Sequence, residues 1–555
     1  MTKKQLIFVK ACCLIFALLL TELGWAQVQS SVVTTQASKH ADAPPLSETA
    51  PISAESEASS SVLDDDLLVM PARHATTAML DPGLQSASSQ TAQSATLTSS
   101  IKAGLHILGQ GEGFPDSNGS SSTADPNAAV GTTQVVQFTN DSFAVFSKST
   151  GQLVYGPASG STLWQSLGGA CAAGANVDEI VQFDKLANRW IMMMPVFSTP
   201  SYICFAVSKT SDAVNGGWHL YAFEEPVNSI CECRMQPDYP KVGVWPDGYY
   251  LSYNQGWNGN FEGAAACVVN RSRMLTGESA TMQCFNRISA NYGTLVPSDV
   301  DGSSAPPTGS PAYFLNFDYG NHHSLDLWKF HVDWSDSADS TFTGPTQISV
   351  APFTEACGEA ATELNYTTGA CIPQAGTGQR LDSYGDRLMY RLAYRNFGGH
   401  ESLVTNHTVA TGTNGSQTGI RWYELRRSGS NFGLYQQGTY APGANYRWMG
   451  SIAMDKLGDI AMGYSISGAG MSPSIAYTGR LSSDPLGQME GETDALASNG
   501  IGHGSRTSNF RWSDYSSIAI DPTDECTFWY TAEYMPANGG NWSTRLVSFR
   551  FSSCP

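Results

Sequence analysis

Two aspartates stand beside tyrosines in similar surroundings, Pro237-Asp238-Tyr239-Pro240 and Ser513-Asp514-Tyr515-Ser516. A pair of carboxyl groups is the basic equipment of glycoside hydrolysis. One protonates the leaving oxygen and the other serves as base or nucleophile, with the two about 5 to 10 Å apart. Further residues of suitable type recur along the chain: Asp178, Tyr239, Asp382 with Tyr384, Arg447 with Trp448, and Arg511 with Trp512 and Tyr515. Aromatic rings stack on the apolar faces of sugars, while carboxylates and guanidinium groups hydrogen-bond hydroxyls or carboxylates. Asp238 and Asp514 are therefore the catalytic candidates, and the other residues are ligand-binding candidates. The plainer alternative is structural: Asp and Tyr satisfying backbone N–H groups, and Arg bridging neighbouring sheets.

Residues so far apart in sequence need a fold that gathers them. One phrase recurs with variations from about residue 125 onward. A polar, aromatic start leads into a short apolar run, an Asp-containing turn and a second run rich in aromatics. Asp184-Lys185-Leu186-Ala187-Asn188-Arg189 is echoed by Asp455-Lys456-Leu457-Gly458-Asp459-Ile460, and Ser451-Ile452-Ala453-Met454-Asp455 by Ser517-Ile518-Ala519-Ile520-Asp521. Recurrent hairpins at long spacing are the sequence mark of a radial array of small sheets. Each sheet has two faces to cover, and a ring covers both by packing neighbours together.

The expected fold is all-β, a β-propeller of seven blades with six or eight as alternatives. Two stacked β-sandwiches are the competing architecture. The first unit includes Val135–Phe138, the second starts at Asp178, the third at Asp238, the fourth near Ala312 and the fifth at Asp382, and the sixth and seventh open with Arg447 and Arg511. The excess length falls in loops such as the Gly/Ser/Pro-rich stretch from Ser298 to Pro311. A Cys526–Cys554 bridge, or strand exchange between the first and last units, would latch the ring. At its channel mouth the residues that open each unit would crowd together.

Composition and the N-terminal segment predict an exported chain, secreted, periplasmic or at the cell surface. Lys3 and Lys4, a largely apolar Leu6–Leu20 segment interrupted by Lys10, and Gly24-Trp25-Ala26 predict a signal peptide over residues 1–26. The apolar run is shorter than the roughly 20 residues of a spanning helix, so the mature chain is expected to have no membrane span. Residues 27–104 are rich in Ser, Thr, Ala and Gln and lack aromatics after Trp25, which predicts a disordered linker. The propeller domain is expected over 105–555.

Of twelve cysteines, Cys12 and Cys13 lie in the leader. In an exported chain the remaining even number favours disulfides. Cys267–Cys284, Cys357–Cys371 and Cys526–Cys554 are the expected local pairs. Cys171, Cys204, Cys231 and Cys233 are left with open connectivity. A metal role for Cys231-Glu232-Cys233 would need two further ligands.

The net charge of -19 excludes the basic face of a nucleic-acid binder. Charged residues are only 14%, which fits an extracellular β protein built from turns and pleated faces. No cofactor is implied. Calcium is the one metal with a fragmentary motif, Ser298-Asp299-Val300-Asp301-Gly302, but further acidic ligands are missing and a plain turn is expected there. His322-His323 and His400, Glu401 and His407 do not match a helical zinc motif. No phosphate loop and no Gly-x-Ser-x-Gly elbow is present.

Several phrases are more specific than generic β structure. They are Pro237 through Asp247, Arg447-Trp448-Met449-Gly450-Ser451, Trp512 through Ser517, and Cys526-Thr527-Phe528-Trp529-Tyr530. Together they resemble a family of large exported bacterial β-propeller proteins of unestablished activity. The resemblance implies the fold and export and supplies no catalytic residues. Ser208-Lys209-Thr210-Ser211-Asp212 with Gly216-Gly217-Trp218 bears a looser similarity to the Asp-box hairpin of sialidase-type propellers, with too long an Asp-to-Trp spacing.

The function expected is recognition of an extracellular ligand or surface, carbohydrate first and a surface protein second. A glycan-active hydrolase and an adhesive or structural module are the alternatives.

Overall fold

The computed structural model describes residues 31–53, 81–85 and 99–554, apart from short stretches of the last range at 118, 120–122, 141, 175–177, 229–232, 259, 289–292, 319–320, 358–369, 413–415, 428, 497–510 and 537–539. The expected leader lies outside the described residues.

From Asn127 onward the chain repeats one operation, a four-stranded antiparallel meander. The first four strands are Asn127–Val130, Gln134–Phe138, Phe143–Ser147 and Leu153–Ala158. The second meander begins at Ile180–Asp184, the third at Gln236–Trp245, the fourth at Val296–Val300 and the fifth at Leu392–Asn396. The sixth begins at Tyr446–Met454 and the seventh at Ser517–Ile520. The fourth and fifth merge into one eight-stranded sheet because Ser298–Val300 pairs in parallel with Leu392–Tyr394.

Recurring turns explain the recurring phrases. Asp184 Oδ1 accepts from the backbone N–H of Leu186 and Ala187, both at 3.0 Å. Asp455 Oδ1 accepts from Leu457 and Asp459, and Asp521 Oδ1 from Thr523. Each aspartate thus closes an Asx-type turn between the first and second strands of its sheet.

The first strands are the innermost, and side chains join them into a closed circle. Asn127 Oδ1 accepts from Val181 N, and Asp299 Oδ1 from Val244 N. Ser451 donates to the Tyr390 carbonyl and accepts from Ile518 N, and Ser517 Oγ accepts from Ala128 N. The inner strands of the third and fourth sheets approach so closely that a Cβ on Gly243 would lie 2.3 Å from the Ser298 carbonyl oxygen.

The core is distributed in the same way. One buried cluster joins the first and second sheets through Val136, Phe143, Trp190 and Trp218, and another joins the sixth and seventh through Tyr477, Ile518 and Phe549. Each sheet covers a face of its neighbour, which is the physical reason for a propeller rather than separate sandwiches. The chain is an all-β propeller.

The ring is latched by strand exchange, and the expected Cys526–Cys554 bridge forms within the last sheet. Ile101–Gly111 pairs with Ser543–Phe551 as the outer strand of the last sheet, and Cys526–Cys554 staples that sheet. Cys267–Cys284 and Cys357–Cys371 form as expected, and Cys171 pairs with Cys204. Cys231 lies outside the described residues.

Three expectations need correction. First, the linker is not uniformly unstructured. Val33–Gln36 pairs with Thr281–Cys284 on the third sheet, and Lys39–Ala43 pairs with Trp218–Ala222 on the second. A polar segment cannot build a core, but it can satisfy the free N–H and C=O groups of an existing sheet edge. Asp81 forms an ion pair with buried Arg421, and Leu84 bridges to Thr439. The stretches 54–80 and 86–98 lie outside the described residues. Second, the fourth unit opens at Val296, upstream of Ala312, while the first begins at Asn127, close to the residue 125 expected for the start of the repeat. Third, the calcium-like fragment is neither a metal loop nor a turn. Val300 ends an inner strand, and Asp299 and Asp301 are held by Arg391 at 2.6 and 2.8 Å.

Candidate functional site

The inner strands begin at one mouth of the ring, and the chain kinks there repeatedly. Asp125, Asp178, Tyr239, Thr294 and Met449 have φ of 41°, 55°, 54°, 50° and 56° at the starts of the first, second, third, fourth and sixth inner strands. The left-handed region is uncommon for non-glycine residues and costs on the order of 1–2 kcal/mol each. Side-chain bonds hold these kinks in place. Asn140 Nδ2 donates to Asp125 Oδ2 at 2.7 Å, and its Oδ1 accepts from Asp178 N at 3.0 Å. Asp125 Oδ1 accepts from Asp514 N at 2.6 Å, and Asp178 Oδ2 accepts from Tyr239 N at 3.3 Å. The starts of the seventh, first, second and third sheets are thereby sewn together.

The floor of the mouth is a plug of tyrosines. The rings of Tyr239 and Tyr515 are 6.0 Å apart, and those of Tyr390 and Tyr515 6.3 Å. Tyr239 donates to the Asp514 carbonyl at 3.2 Å and Tyr515 to the Glu179 carbonyl at 3.4 Å, so both hydroxyls reach across the axis. Lys241 Nζ lies 3.4 Å from the Tyr239 ring centroid and 4.2 Å from that of Tyr515. Burial pulls its ammonium down to about 7 against the opposing pull of Asp178 and Asp514.

Above this floor is a polar rim. Arg387 grips Asp386 through Nε and Nη2 at 2.8 and 3.1 Å, and Arg511 pairs with Asp514. The Tyr384 ring lies between the two guanidinium groups, 4.5 Å from Arg387 and 5.9 Å from Arg511. Asp238 is half-buried, and Asp382 is buried with its Oδ1 accepting from Tyr384 N at 3.0 Å.

The carboxyl groups of the mouth are pushed upward. Burial and then the Asp514 charge raise Asp238 to about 6. Burial, Asp514 and Asp238 raise Asp178 to about 7. Burial alone leads for Asp382, also at about 7. Asp125 is raised well above the carboxylate range by burial and by Asp514 and Asp178. The mouth therefore holds carboxyl groups that carry protons near neutrality, beside an aspartate paired to arginine. Such a set can donate and accept hydrogen bonds and can exchange a proton with a bound molecule.

Most of the sequence candidates meet here. Asp178, Asp238, Tyr239, Asp382, Tyr384, Arg511, Asp514 and Tyr515 surround the mouth, with Tyr239 and Tyr515 in its floor rather than on a ligand-facing shelf. Three candidates do not line it. Arg447 turns into the packing between the fifth and sixth sheets and binds Glu492 at 2.7 Å. Trp448 and Trp512 are fully buried, 5.7 Å apart, among Met389, Met449, Met535 and Trp542. Their indoles form an apolar collar, because large flat rings fill the wedge between strand starts better than they tolerate water.

Sequence inspection missed Asp125, Lys241, Asp386 and Arg387. Asp125 had a usable signal, since it precedes the first inner strand as Asp178 precedes the second. The Asp-box-like segment is structural. Asp212 caps its own turn through Val214 N at 2.9 Å and accepts from Gln134 Nε2 at 2.9 Å.

No family model matches the chain, and no curated protein matches it. Among solved structures, an α-L-arabinofuranosidase from Fusarium graminearum aligns over 66% of this chain and 90% of its own, at 9% identity and a TM-score of 0.25. An endo-arabinase from Bacteroides thetaiotaomicron aligns over 54% and 92%, at 12% identity and a TM-score of 0.25. A protein of unknown function from Dyadobacter fermentans aligns over 81% and 99%, at 9% identity and a TM-score of 0.22. Likenesses this distant carry no conclusion about substrate, and the propeller assignment rests on strand order and the closed circle of inner strands. Among the described residues no helix is long and apolar enough to cross a membrane.

Proposed function

We propose that this is an exported propeller that binds a neutral extracellular carbohydrate at the mouth of its channel, with residues 1–26 removed on export. One observation carries the reading: the rim offers paired guanidinium and carboxyl groups around the Tyr384 ring, with Asp238 reaching solvent. Sugar hydroxyls both donate and accept, and a rim that does both suits them. An anionic ligand is a poor match. Arg387 and Arg511 are already paired to Asp386 and Asp514. That pairing disfavours a sialic acid, whose carboxylate needs a guanidinium partner, and therefore the sialidase-type comparison.

The test is a glycan array followed by calorimetry with neutral oligosaccharides. Binding to at least one neutral glycan is expected, weakened at least tenfold by Arg387→Ala. Absence of binding across the array, or binding indifferent to that change, overturns the reading.

The second reading is glycoside hydrolysis. It is favoured by a half-exposed Asp238, pushed up to about 6, whose carboxyl senses the charge of Asp514. Asp238 would be the acid and Asp514 its partner. A hydrolase screen decides: turnover abolished by Asp238→Asn with binding retained supports it, and turnover unchanged in Asp238→Asn with Asp514→Asn removes it.

A further inference from the structure

We propose that Asp125, Asp178 and Asp514 together bind one hard divalent cation, calcium foremost, at the point where the ring of sheets closes. One carboxylate oxygen from each residue lies within 4.8 Å of the others. Oxygens so placed can meet one cation, and calcium, which accepts irregular geometry at about 2.3–2.6 Å, suits carboxylates fixed by backbone bonds better than magnesium, which demands a near-ideal octahedron.

Clustered acids alone are common. The distinguishing observation is Asp178, only 7% exposed, whose Oδ1 is buried with no hydrogen-bond partner. A carboxylate oxygen in that condition is costly unless a proton or a cation meets it. Its other oxygen is fixed by Tyr239 N, and its own N–H by Asn140, so the side chain is held in place.

Neighbouring cations do not fill the position. Lys241 directs its ammonium to the Pro240 carbonyl at 2.9 Å and to the tyrosine rings, and makes no ion pair among the described residues. Arg511 approaches Asp514. Asp514, Asp125 and Asp178 precede the inner strands of the seventh, first and second sheets, three neighbours around the ring. A cation here would bind the last sheet to the first two, on the inner side of the ring, while the Ile101–Gly111 pairing serves the outer side. Calcium takes about six to eight oxygens, so water or a ligand hydroxyl completes the shell. The site is not the Ser298–Gly302 fragment, whose aspartates Arg391 already neutralises.

The test uses the full chain stripped with EDTA. Calcium, magnesium and manganese are titrated separately by calorimetry and thermal melting. One-to-one calcium uptake is expected, with a melting rise of roughly 3 °C at a hundredfold excess over Kd. Asp178→Asn should abolish both responses yet melt in EDTA no lower than the unaltered protein, because it removes an unmatched carboxylate. Asp42→Asn, on the exposed surface, should keep the full response. Should Asp178→Asn fail to fold, terbium luminescence of the unaltered protein decides. Emission sensitised by the adjoining tyrosines and displaced by calcium supports the site, and no such emission overturns it. Lack of uptake of all three metals, or a response unchanged in Asp178→Asn, also overturns it. No glycan enters these measurements, so their failure leaves the carbohydrate reading standing.

Discussion

Two clusters of buried charge occupy the inner strands, and they are built on opposite principles. Around Arg391 every charge is matched. Its Nε donates to Asp299 at 2.7 Å, its Nη2 to Asp301 at 2.8 Å and its Nη1 to the Ile518 carbonyl at 2.9 Å, while Lys185 adds a bond to Asp301 at 3.1 Å. Burial pushes the Asp301 carboxyl up, but Arg391 and Lys185 outweigh it and hold it below the ordinary range. At the mouth carboxyls outnumber cations, and Asp178, Asp238 and Asp382 move the other way. The same residue types on the same kind of strand are therefore neutralised in one place, as a girder, and left holding protons in the other, where the binding surface is proposed. Neutralisation by neighbours, not residue identity, makes the difference.

The sharpest way to break this contrast is Arg391→Met. It removes the guanidinium shared by Asp299 and Asp301, leaving, among the described residues, only Val244 N on the first and Lys185 on the second, and removal of one side of a buried pair costs about 3–5 kcal/mol. Denaturant unfolding should show that loss, and a loss below about 1 kcal/mol would mean the girder is no girder. The matching change at the rim is Arg387→Ala. Glycan affinity should fall by about ten- to a hundredfold, equivalent to about 1.5–3 kcal/mol for a hydrogen bond to a charged group, with a smaller stability loss than Arg391→Met because the partner Asp386 stays partly exposed. A large stability loss with affinity intact would make the rim structural too.

The pH response sharpens the contrast further. The folded value of Asp382, about 7, lies above its unfolded value, so the folded chain keeps a proton that the unfolded chain releases. Its contribution to stability therefore declines from about pH 4 to about pH 7 and is flat above. Asp382→Asn should remove that decline, worth on the order of 4 kcal/mol, and make the protein more stable at pH 8 than the unaltered chain. Asp301, shifted down, acts in the opposite sense: its contribution is complete above the ordinary aspartate value and is lost only in stronger acid. Melting curves from about pH 2 to pH 8 test both signs, Asp382 above about pH 4 and Asp301 below it. The smallest effect belongs to the surface pair Lys209–Asp42, where Asp42 is 61% exposed. Lys209→Ala should change stability by no more than about 1 kcal/mol, and it sets the baseline against which the buried clusters are judged.

Much of the fold was legible because hairpins leave local marks. Asp184, Asp455 and Asp521 each close a turn with their own neighbours, so the residues that define the repeat lie side by side in sequence. The same holds for Cys267–Cys284, whose partners face each other across one pair of strands. The strands at Asn127–Val130 and Val296–Val300 were not legible. They are short, and partners from other sheets hold them: Ser517 for the first and the Leu392–Tyr394 pairing for the second. The arm at Val33–Ala43 was misread for a related reason, since its order comes from edges formed by residues more than 170 positions away.

The site divides along the same line. Sequence alone determined the residue types, Asp beside Tyr at the starts of successive units, and that they would converge if the units closed into a ring. Only the tertiary structure decided which of them face the channel and what charge surrounds each. It turned Arg447 toward Glu492, buried Trp448 and Trp512 in an apolar collar, and brought in Asp125, Asp386 and Arg387. A turn is fixed by bonds between near neighbours, whereas the state of a buried carboxyl depends on every charge and dipole around it, and those neighbours come from sheets hundreds of residues apart.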